Sequence, residues 1–400
     1  MESFPESAIL VRGSGPSGAN PNLFYLTGIE EPQAVLVLSA TGLRVGTGRQ
    51  HPGPGYLSGH PAHQVLFLPQ SDAVAERWGE GAQVTLESAS AADLAVDELF
   101  SASELDGWLN GWLQGWSEIA IVAAAPPSLG DKAGSRDPLI DEIRSHFLNM
   151  RFVDATATVG RMRSVKDELE VAAIERAAEV TRDGFLAAMG ALRVGATEHQ
   201  IEGCLTAAYR GAGATHGFGP IVGAGRNALK LHYRENHDAI DDGDLVLIDS
   251  GAHLHGYGAD VARTVPANGR YSARQRELYQ AVLDAQEAAI EALCPGVTLG
   301  ELHAIAWKQL DRAGLANAFV HGIGHHLGIE THDAGDIHTT LEEGSVITIE
   351  PGVYLEDEGI GIRIEDDLLV TPDGCRQLSL GIPKTIDEVE SFLSKARGDA

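Results

Sequence analysis

Residues 244–265 read DLVLIDSGAHLHGYGADVARTV. Two apolar, β-branched runs flank His253-Leu254-His255-Gly256, so the stretch reads as an antiparallel hairpin with those four residues as its loop. Centring the loop between Leu254 and His255 sets Asp249 directly opposite Asp260. Cross-strand neighbours have Cβ atoms roughly 4.5–5.5 Å apart, and like charges in that position destabilise the pair. A buried carboxylate is costly without a partner. A cation shared by both residues would remove that cost.

The pattern returns at residues 345–368, SVITIEPGVYLEDEGIGIRIEDDL. A turn centred between Asp357 and Glu358 sets Glu350 opposite Glu365. Pro351 is the residue able to shift that register, because proline interrupts a ladder. Two hairpins thus supply four acidic ligands, and the histidine-rich stretch VHGIGHHLGIETHD (320–333) between them supplies His325 as a fifth. The set is oxygen-rich with one imidazole. Carboxylates favour manganese or magnesium, while imidazole also admits cobalt, zinc or iron. Two such ions about 3.5–4 Å apart would share a hydroxide that serves as nucleophile. Manganese is the first choice.

His321 and His332 share the 320–333 stretch, and His232 lies in LKLHYREN (229–236). Where one histidine ligates, others can donate hydrogen bonds to a developing oxyanion. His326 reads as a bystander. His51, His60, His63, His146, His199, His216, His237, His303 and His338 read as surface or satisfied core residues, and His253 and His255 as solvent-exposed turn residues.

The N-terminal part, residues 1–160, alternates strand-like and helix-like stretches, which suggests a small α/β domain. Strands are expected at Phe24-Tyr25-Leu26, Ala34 to Leu38, Gln64 to Leu68 and Ile119 to Ala123. Helices are expected at Asp72 to Trp78 and Ser90 to Leu113, and a surface loop at Gly46 to Gly59. Within DGWLNGWLQGW (106–116) the tryptophans Trp108, Trp112 and Trp116 would form one helical stripe. Core packing is the plainer reading of that stripe and a subunit interface the sharper one. The second domain, residues 161–400, opens with a capped helix near Ser164 to Glu170 that runs through Met189, followed by a helix capped by Thr197. A helix over Gln275 to Leu293, a turn at Pro295 to Thr298 and a helix over Leu299 to Ala313 repeat that plan, hinting at internal duplication.

The 400 residues carry a formal charge of −28, with 44% hydrophobic and 22% charged residues. That charge disfavours nucleic acid and anionic membrane surfaces as partners. Cys204, Cys294 and Cys375 show no CxxC spacing and read as free thiols of a reducing compartment. No basic region followed by an apolar stretch opens the chain, and no apolar run approaches the ~18 residues a bilayer span needs. A cytoplasmic protein is expected.

Taken together, LHY, LIDSG, DVART, HGIGHHLGIETHD, IEPGVY and GIRIEDD, in this chain order between about Arg161 and Pro383, resemble the aminopeptidase P and prolidase family of metallopeptidases. The stretch FYLTGIEEPQAVLVL (24–38) is similar to that family's first domain. The resemblance implies an α/β (α+β) architecture, with a small creatinase/prolidase-like N-terminal domain followed by a pita-bread catalytic domain. It implies two divalent ions, with Asp260 and Glu365 bridging, Asp249 on one ion, and His325 and Glu350 on the other. Glu350 would also be the general base. His232 and His332 would stabilise the tetrahedral intermediate or hold substrate, His321 would bind it near the proline side, and Tyr354 and Arg363 would support the site. The implied reaction cleaves the bond between an N-terminal residue and a following proline. The implied partners are peptides with proline second and further copies of the chain in a homodimer or larger homo-oligomer. One departure stands out: where longer members carry a charged, aromatic stretch before FYLTG, this chain has RGSGPSGANPNL (12–23).

Prolidase shares the chemistry and differs in substrate length, and the FYLTGIEEP and HYREN stretches favour aminopeptidase P. Methionine aminopeptidase fits less well because of the long N-terminal domain and the HGIGHHLG form. A non-catalytic binding protein or a creatinase-like enzyme would be expected to have lost ligands, yet all five positions are filled. The IVGAGRN stretch (221–227) fails as a phosphate loop, since no third glycine or P-loop lysine follows.

Overall fold

The structure is a computed structural model and describes residues 7–15, 18–45, 60–124 and 138–398. The chain divides into two compact units, Met1–Gly160 and Arg161–Ala400. The loop expected at Gly46 to Gly59 lies outside the described residues.

The first unit is built on a six-stranded mixed sheet. Its strand order is Glu98–Ser101, His60–Leu68, Val35–Val45, Ala8–Arg12, Glu118–Val122 and Arg151–Asp154. The three central strands pair antiparallel and the outer ones join in parallel. Side chains alternate strictly between two apolar clusters. Ala8, Leu10, Val65 and Phe67 belong to one, while Ile9, Val11, Leu66 and Leu68 belong to the other. A strand buried on both faces reads as a continuous apolar run, which is why Ala34 to Leu38, Gln64 to Leu68 and Ile119 to Ala123 could be picked out of the sequence, whereas Ala8–Arg12 was missed.

Two expectations fail here. Phe24-Tyr25-Leu26 is helical, inside Pro21–Thr27. The Asn20 side chain accepts from the Asn22 N–H, Pro21 occupies the first turn, and Gly28 closes the helix in the left-handed region at φ 73. Caps at both ends outweigh the aromatic strand propensity of the three residues between them. The helix expected over Ser90 to Leu113 is confined to Leu105–Leu113. Ahead of it, Glu98–Ser101 pairs in parallel with Val65 to Leu68, and the Asp97 carboxylate accepts from the His63 and Gln64 N–H groups. The new helical start is made by a capping box between Ser101 and Glu104.

The tryptophan stripe is core. Trp108 and Trp112 are buried, and Trp112 donates its Nε1–H to the Arg44 carbonyl at 3.1 Å. Phe100 lies 4.6 Å from Trp108, ring to ring, and Trp116 stacks on Trp112 at 6.1 Å.

The second unit repeats one plan twice. Glu168–Ala191 and Glu198–Gly211 form one helix pair, and Ala273–Ala292 and Leu299–Arg312 the other. Asp167 and Ser272 cap the two long helices, and Thr197 and Thr298 the shorter ones. Thr197 bridges to Ala239 and Thr298 to Thr340. Gly195 N–H bonds Ile240 O at 2.9 Å, and Gly296 N–H bonds Leu341 O at 2.8 Å. Each repeat then enters a strand, Leu245–Ser250 in one and Val346–Ile349 in the other. From the ends of the two long helices onward, corresponding residues keep one constant separation, which makes Asp249 and Glu350 equivalent positions. The halves meet where Glu365 N–H bonds Ala262 O at 3.0 Å, and buried Arg263 crosses between them to the Glu365 carbonyl and the Asp366 carboxylate.

Replacing Trp108 by alanine should lower the unfolding free energy by about 3–5 kcal/mol, the usual cost of removing a buried tryptophan. The denaturant midpoint should shift by the same amount at every protein concentration. A loss that shrinks as the protein is concentrated would point back to a subunit interface.

Candidate metal centre

The second hairpin follows the register expected from its sequence. Ile349 pairs with Asp366 on one side and Gly352 with Arg363 on the other, so Glu350 lies across from Glu365. Pro351 interrupts the ladder without shifting it. Freed from the ladder, Glu350 N–H bonds Ile323 O at 2.8 Å, which ties the strand to the histidine loop.

The first hairpin departs from expectation by one residue. His255 (φ 52) and Gly256 (φ 84) form a two-residue turn in the left-handed region, the handedness that suits a tight hairpin. Leu254 therefore pairs with Tyr257 and His253 with Gly258. The longer ladder keeps the same register, so Asp249 faces Ala262, not Asp260. Asp260 reaches the site from a kink between the two ladders. There the Ala259 carbonyl passes so close to Gly251 that an added Cβ would sit 1.5 Å from it. The Asp260 N–H bonds the buried Asp367 carboxylate at 3.2 Å. The shift also moves His253 out of the turn. It is half-buried, its ring lies 3.1 Å from the Ile329 carbonyl, and it lines the cavity, whereas His255 is exposed as expected.

Asp249, Asp260, His325, Glu350 and Glu365 all line one cavity of about 900 Å³. Asp260, His325 and Glu365 each offer a donor atom within 4.8 Å of the others. His325 Nε2 lies 3.4 Å from Asp260 Oδ2 and 3.7 Å from Glu350 Oε1. Its Nδ1 lies 3.0 Å from the His326 carbonyl, which can only accept. The ring proton is therefore on Nδ1, and the Nε2 lone pair faces carboxylate oxygens. Asp249 Oδ1, Asp260 Oδ1 and Glu365 Oε1 are buried without a hydrogen-bond partner among the described residues. Lone pairs converging on lone pairs in an apolar interior require a cation. Four carboxylates and one imidazole suit a divalent ion of hard or borderline character.

Burial is the main force on these groups. It drives the Asp260 and Glu365 carboxyls well above the usual range, and the neighbouring carboxylates push the same way. Burial raises Glu350 to about 7, opposed by His325 and Arg363. Asp249 is raised too, but Arg363 counteracts by donating directly to Oδ2. Arg363 Nε also donates to Tyr354 OH at 2.9 Å, and that oxygen lies 3.1 Å from His321 Nε2. His321 Nδ1 is 2.8 Å from the Gly322 carbonyl, so it carries the proton and Nε2 accepts from the tyrosine. Burial holds His321 and His332 down to about 4, keeping both rings neutral at pH 7. The His332 ring stacks on His325 with centroids 3.9 Å apart.

His232 also lines the cavity, on the loop after the 3₁₀ turn Gly225–Leu229. His326 is buried against the Gly335 backbone and does not line the cavity. Sequence reasoning missed His216, which lines the cavity and packs edge-on against Tyr209, and Arg234, two residues beyond His232. The only sequence signal for Arg234 was its place in the LHYREN stretch.

Residues 172–372 match the family described as metallopeptidase family M24, and residues 18–121 match the aminopeptidase P N-terminal domain. The chain is 32% identical to the Xaa-Pro aminopeptidase of Escherichia coli, over 96% of this chain and 90% of that protein. It is 33% identical to Xaa-Pro aminopeptidase 1 of Streptomyces coelicolor, over 94% of this chain and 79% of that protein. Among solved structures, Pseudomonas aeruginosa aminopeptidase PepP superposes with a TM-score of 0.84 at 31% identity, covering 98% of this chain and 95% of that one. E. coli aminopeptidase P with the inhibitor Pro-Leu gives 0.82 at 31% identity, with coverage of 98% and 95%.

The raised carboxyls fix the sign of a pH effect. In metal-free protein, Glu350 contributes stability that is fully present below its unfolded value near 4.5 and is lost as pH rises through about 7. Metal binding needs the deprotonated form. The gain in melting temperature on adding manganese to chelator-treated protein should therefore grow between pH 4.5 and 7. A gain that stays flat or falls over that range would contradict the placement of these carboxylates.

Proposed function

The chain belongs to the Xaa-Pro aminopeptidases of metallopeptidase family M24 and is a hydrolase, and from that premise we propose that its cavity cleaves the bond between an N-terminal residue and a following proline, using two divalent ions held by Asp249, Asp260, His325, Glu350 and Glu365. The observation that carries this reading is the convergence of acceptor-only atoms around the His325 lone pair. By family resemblance, all five of these residues would hold the ions, with Asp260 and Glu365 placed to be shared and Asp249, His325 and Glu350 to complete the set. The oxygen-rich set favours manganese. Bound there, two divalent ions supply Lewis-acid polarisation of the scissile carbonyl and acidify a water molecule to serve as nucleophile.

The remaining roles belong to the chain's own groups. By the same resemblance Glu350 is the general base, a carboxylate that the ion it would hold keeps deprotonated and ready to accept. It takes a proton as the water oxygen bonds to the carbonyl carbon and delivers one to the proline nitrogen as the C–N bond breaks. That nitrogen belongs to a tertiary amide and is a poor leaving group until protonated. His332 and His232 donate to the carbonyl oxygen as negative charge develops on it. A neutral His332 ring suits this task, because it keeps an N–H to give. His321 faces the proline side, oriented by the chain of contacts from Arg363 through Tyr354. Proline offers no N–H for backbone recognition, so shape must select it, and Phe218, Leu231, Ile329 and Ile337 give the cavity apolar walls. The same family resemblance extends the proposal to a homodimer or larger homo-oligomer, and the unpaired spacing of Cys204, Cys294 and Cys375 extends it to a reducing, cytoplasmic setting. No helix among the described residues is long and apolar enough to cross a membrane.

In a manganese-dependent assay, Xaa-Pro-Xaa tripeptides should be hydrolysed faster than Xaa-Pro dipeptides. The reverse order would make the enzyme a dipeptidase of the prolidase type. Asp260→Asn should bring both rates to background, and retained activity would remove Asp260 from the site.

A further inference from the structure

His332 lies on a stretch, residues 327–336, that contains neither helix nor strand. Among the described residues no hydrogen bond holds its ring, and its aromatic partner is the stacked His325. A stacking contact leaves a ring free to slide, so the loop backbone must set where the imidazole points. Asp333, the next residue, anchors that backbone. Its N–H bonds the His326 carbonyl at 2.9 Å, bringing the loop back to its start. Its carboxylate accepts from Arg163 at Oδ1 and from Lys166 Nζ at Oδ2, 3.1 Å away. All three side chains are at most 2% exposed. The same Arg163 Nη2 also reaches Glu330 Oε2 at 2.9 Å, so one guanidinium grips the loop on both sides of Thr331 and His332. Gly328 closes the cage from the remaining side. A Cβ there would lie 2.2 Å from Asp333 Oδ2 and 2.9 Å from Lys166 Cε.

We propose that Asp333, clamped by Arg163 and Lys166, is a positioning residue that fixes His332 over the reacting carbonyl. The proposal rests on the reading of His332 as a group that touches substrate. Buried ion pairs are weak devices for stability, since desolvation offsets most of the attraction. Their better-attested use is to specify one conformation. Here two cations and two carboxylates balance in charge, and their geometry admits one path for the loop. Neither cation belongs to the metal cavity, and neither touches the reacting groups.

A double-mutant cycle with the manganese-loaded enzyme tests this. Asp333→Asn should lower kcat about 100-fold, the scale of a misplacement near 1 Å, with KM and bound manganese nearly unchanged. The double variant His332→Ala/Asp333→Asn should be no slower than His332→Ala alone, because Asp333 acts through that ring. Losses that multiply, or a folded Asp333→Asn with unimpaired kcat, would overturn the proposal while leaving the peptidase reading intact. Should Asp333→Asn fail to fold, Lys166→Met keeps the Arg163 clamp and enters the same cycle, with the same non-additivity expected. An unimpaired His332→Ala would instead bring down the assigned role of His332, and this proposal with it.

Discussion

Everything in the second unit is arranged around one electrostatic problem: carboxylates that face each other inside an apolar β scaffold. Asp249 and Asp260 are at most 5% exposed and Glu365 only 1%, so water cannot screen their repulsion. Histidine does not relieve it, because the His325 proton is committed to a backbone carbonyl on the far side of the ring. A protein without a cation at this site answers by protonating these groups, and burial pushes them all in that direction. The fold therefore carries its need for metal as stored desolvation, which ligand binding releases.

The duplicated plan explains how two distant stretches supply matching candidate ligands. Asp249 and Glu350 occupy equivalent strand positions in the two repeats. Their cross-strand partners do not match, because Asp249 faces Ala262 while Glu350 lies across from Glu365. Ala262 and Glu365 are themselves bridged where the repeats meet. A carboxylate at both positions would crowd that junction, and the first repeat instead delivers Asp260 from the kink beside Gly251. The symmetry is broken at the point where strict symmetry would place two like charges in contact.

This asymmetry also decides what could be read from the sequence. The second hairpin was legible because its turn and both of its ladders share one register, so counting from the turn succeeds. The turn of the first was misplaced by one residue because it uses His255 in a left-handed conformation, where a residue other than glycine is uncommon. Moving the turn centre by one residue moves each cross-strand partner by two, which puts Ala262 in place of Asp260 opposite Asp249 and takes His253 out of the turn into a half-buried strand position. In the first unit, caps placed outside Phe24 to Leu26 overrode local strand propensity. The strand Glu98–Ser101 exists because of a parallel neighbour more than thirty residues away, which no local periodicity encodes. The four candidate carboxylates stood out because each lies at or near the end of an apolar, β-branched run, and His325 because it lies in a glycine-rich stretch between the two hairpins.

Some buried carboxylates are held by cations while most of those lining the cavity are not, and the contrast shows how the scaffold keeps its candidate ligands available. Asp366 is held by Arg263 and by Lys384 at 2.9 Å, and Asp333 by Arg163 and Lys166. Both are pulled below the ordinary carboxylate value by their cations, against the burial that would raise them. Asp260, Glu350 and Glu365 have no arginine or lysine partner among the described residues. Had a lysine reached any of these three, it would have neutralised the group and competed with a divalent ion for the same oxygens. Arg363 is the intermediate case, donating to one oxygen of Asp249 and leaving the other without a partner. That half-neutralisation limits the repulsion in the empty scaffold and still leaves an oxygen for metal. Cations behind the site thus fix the backbone, while their absence in front of it preserves the chemistry.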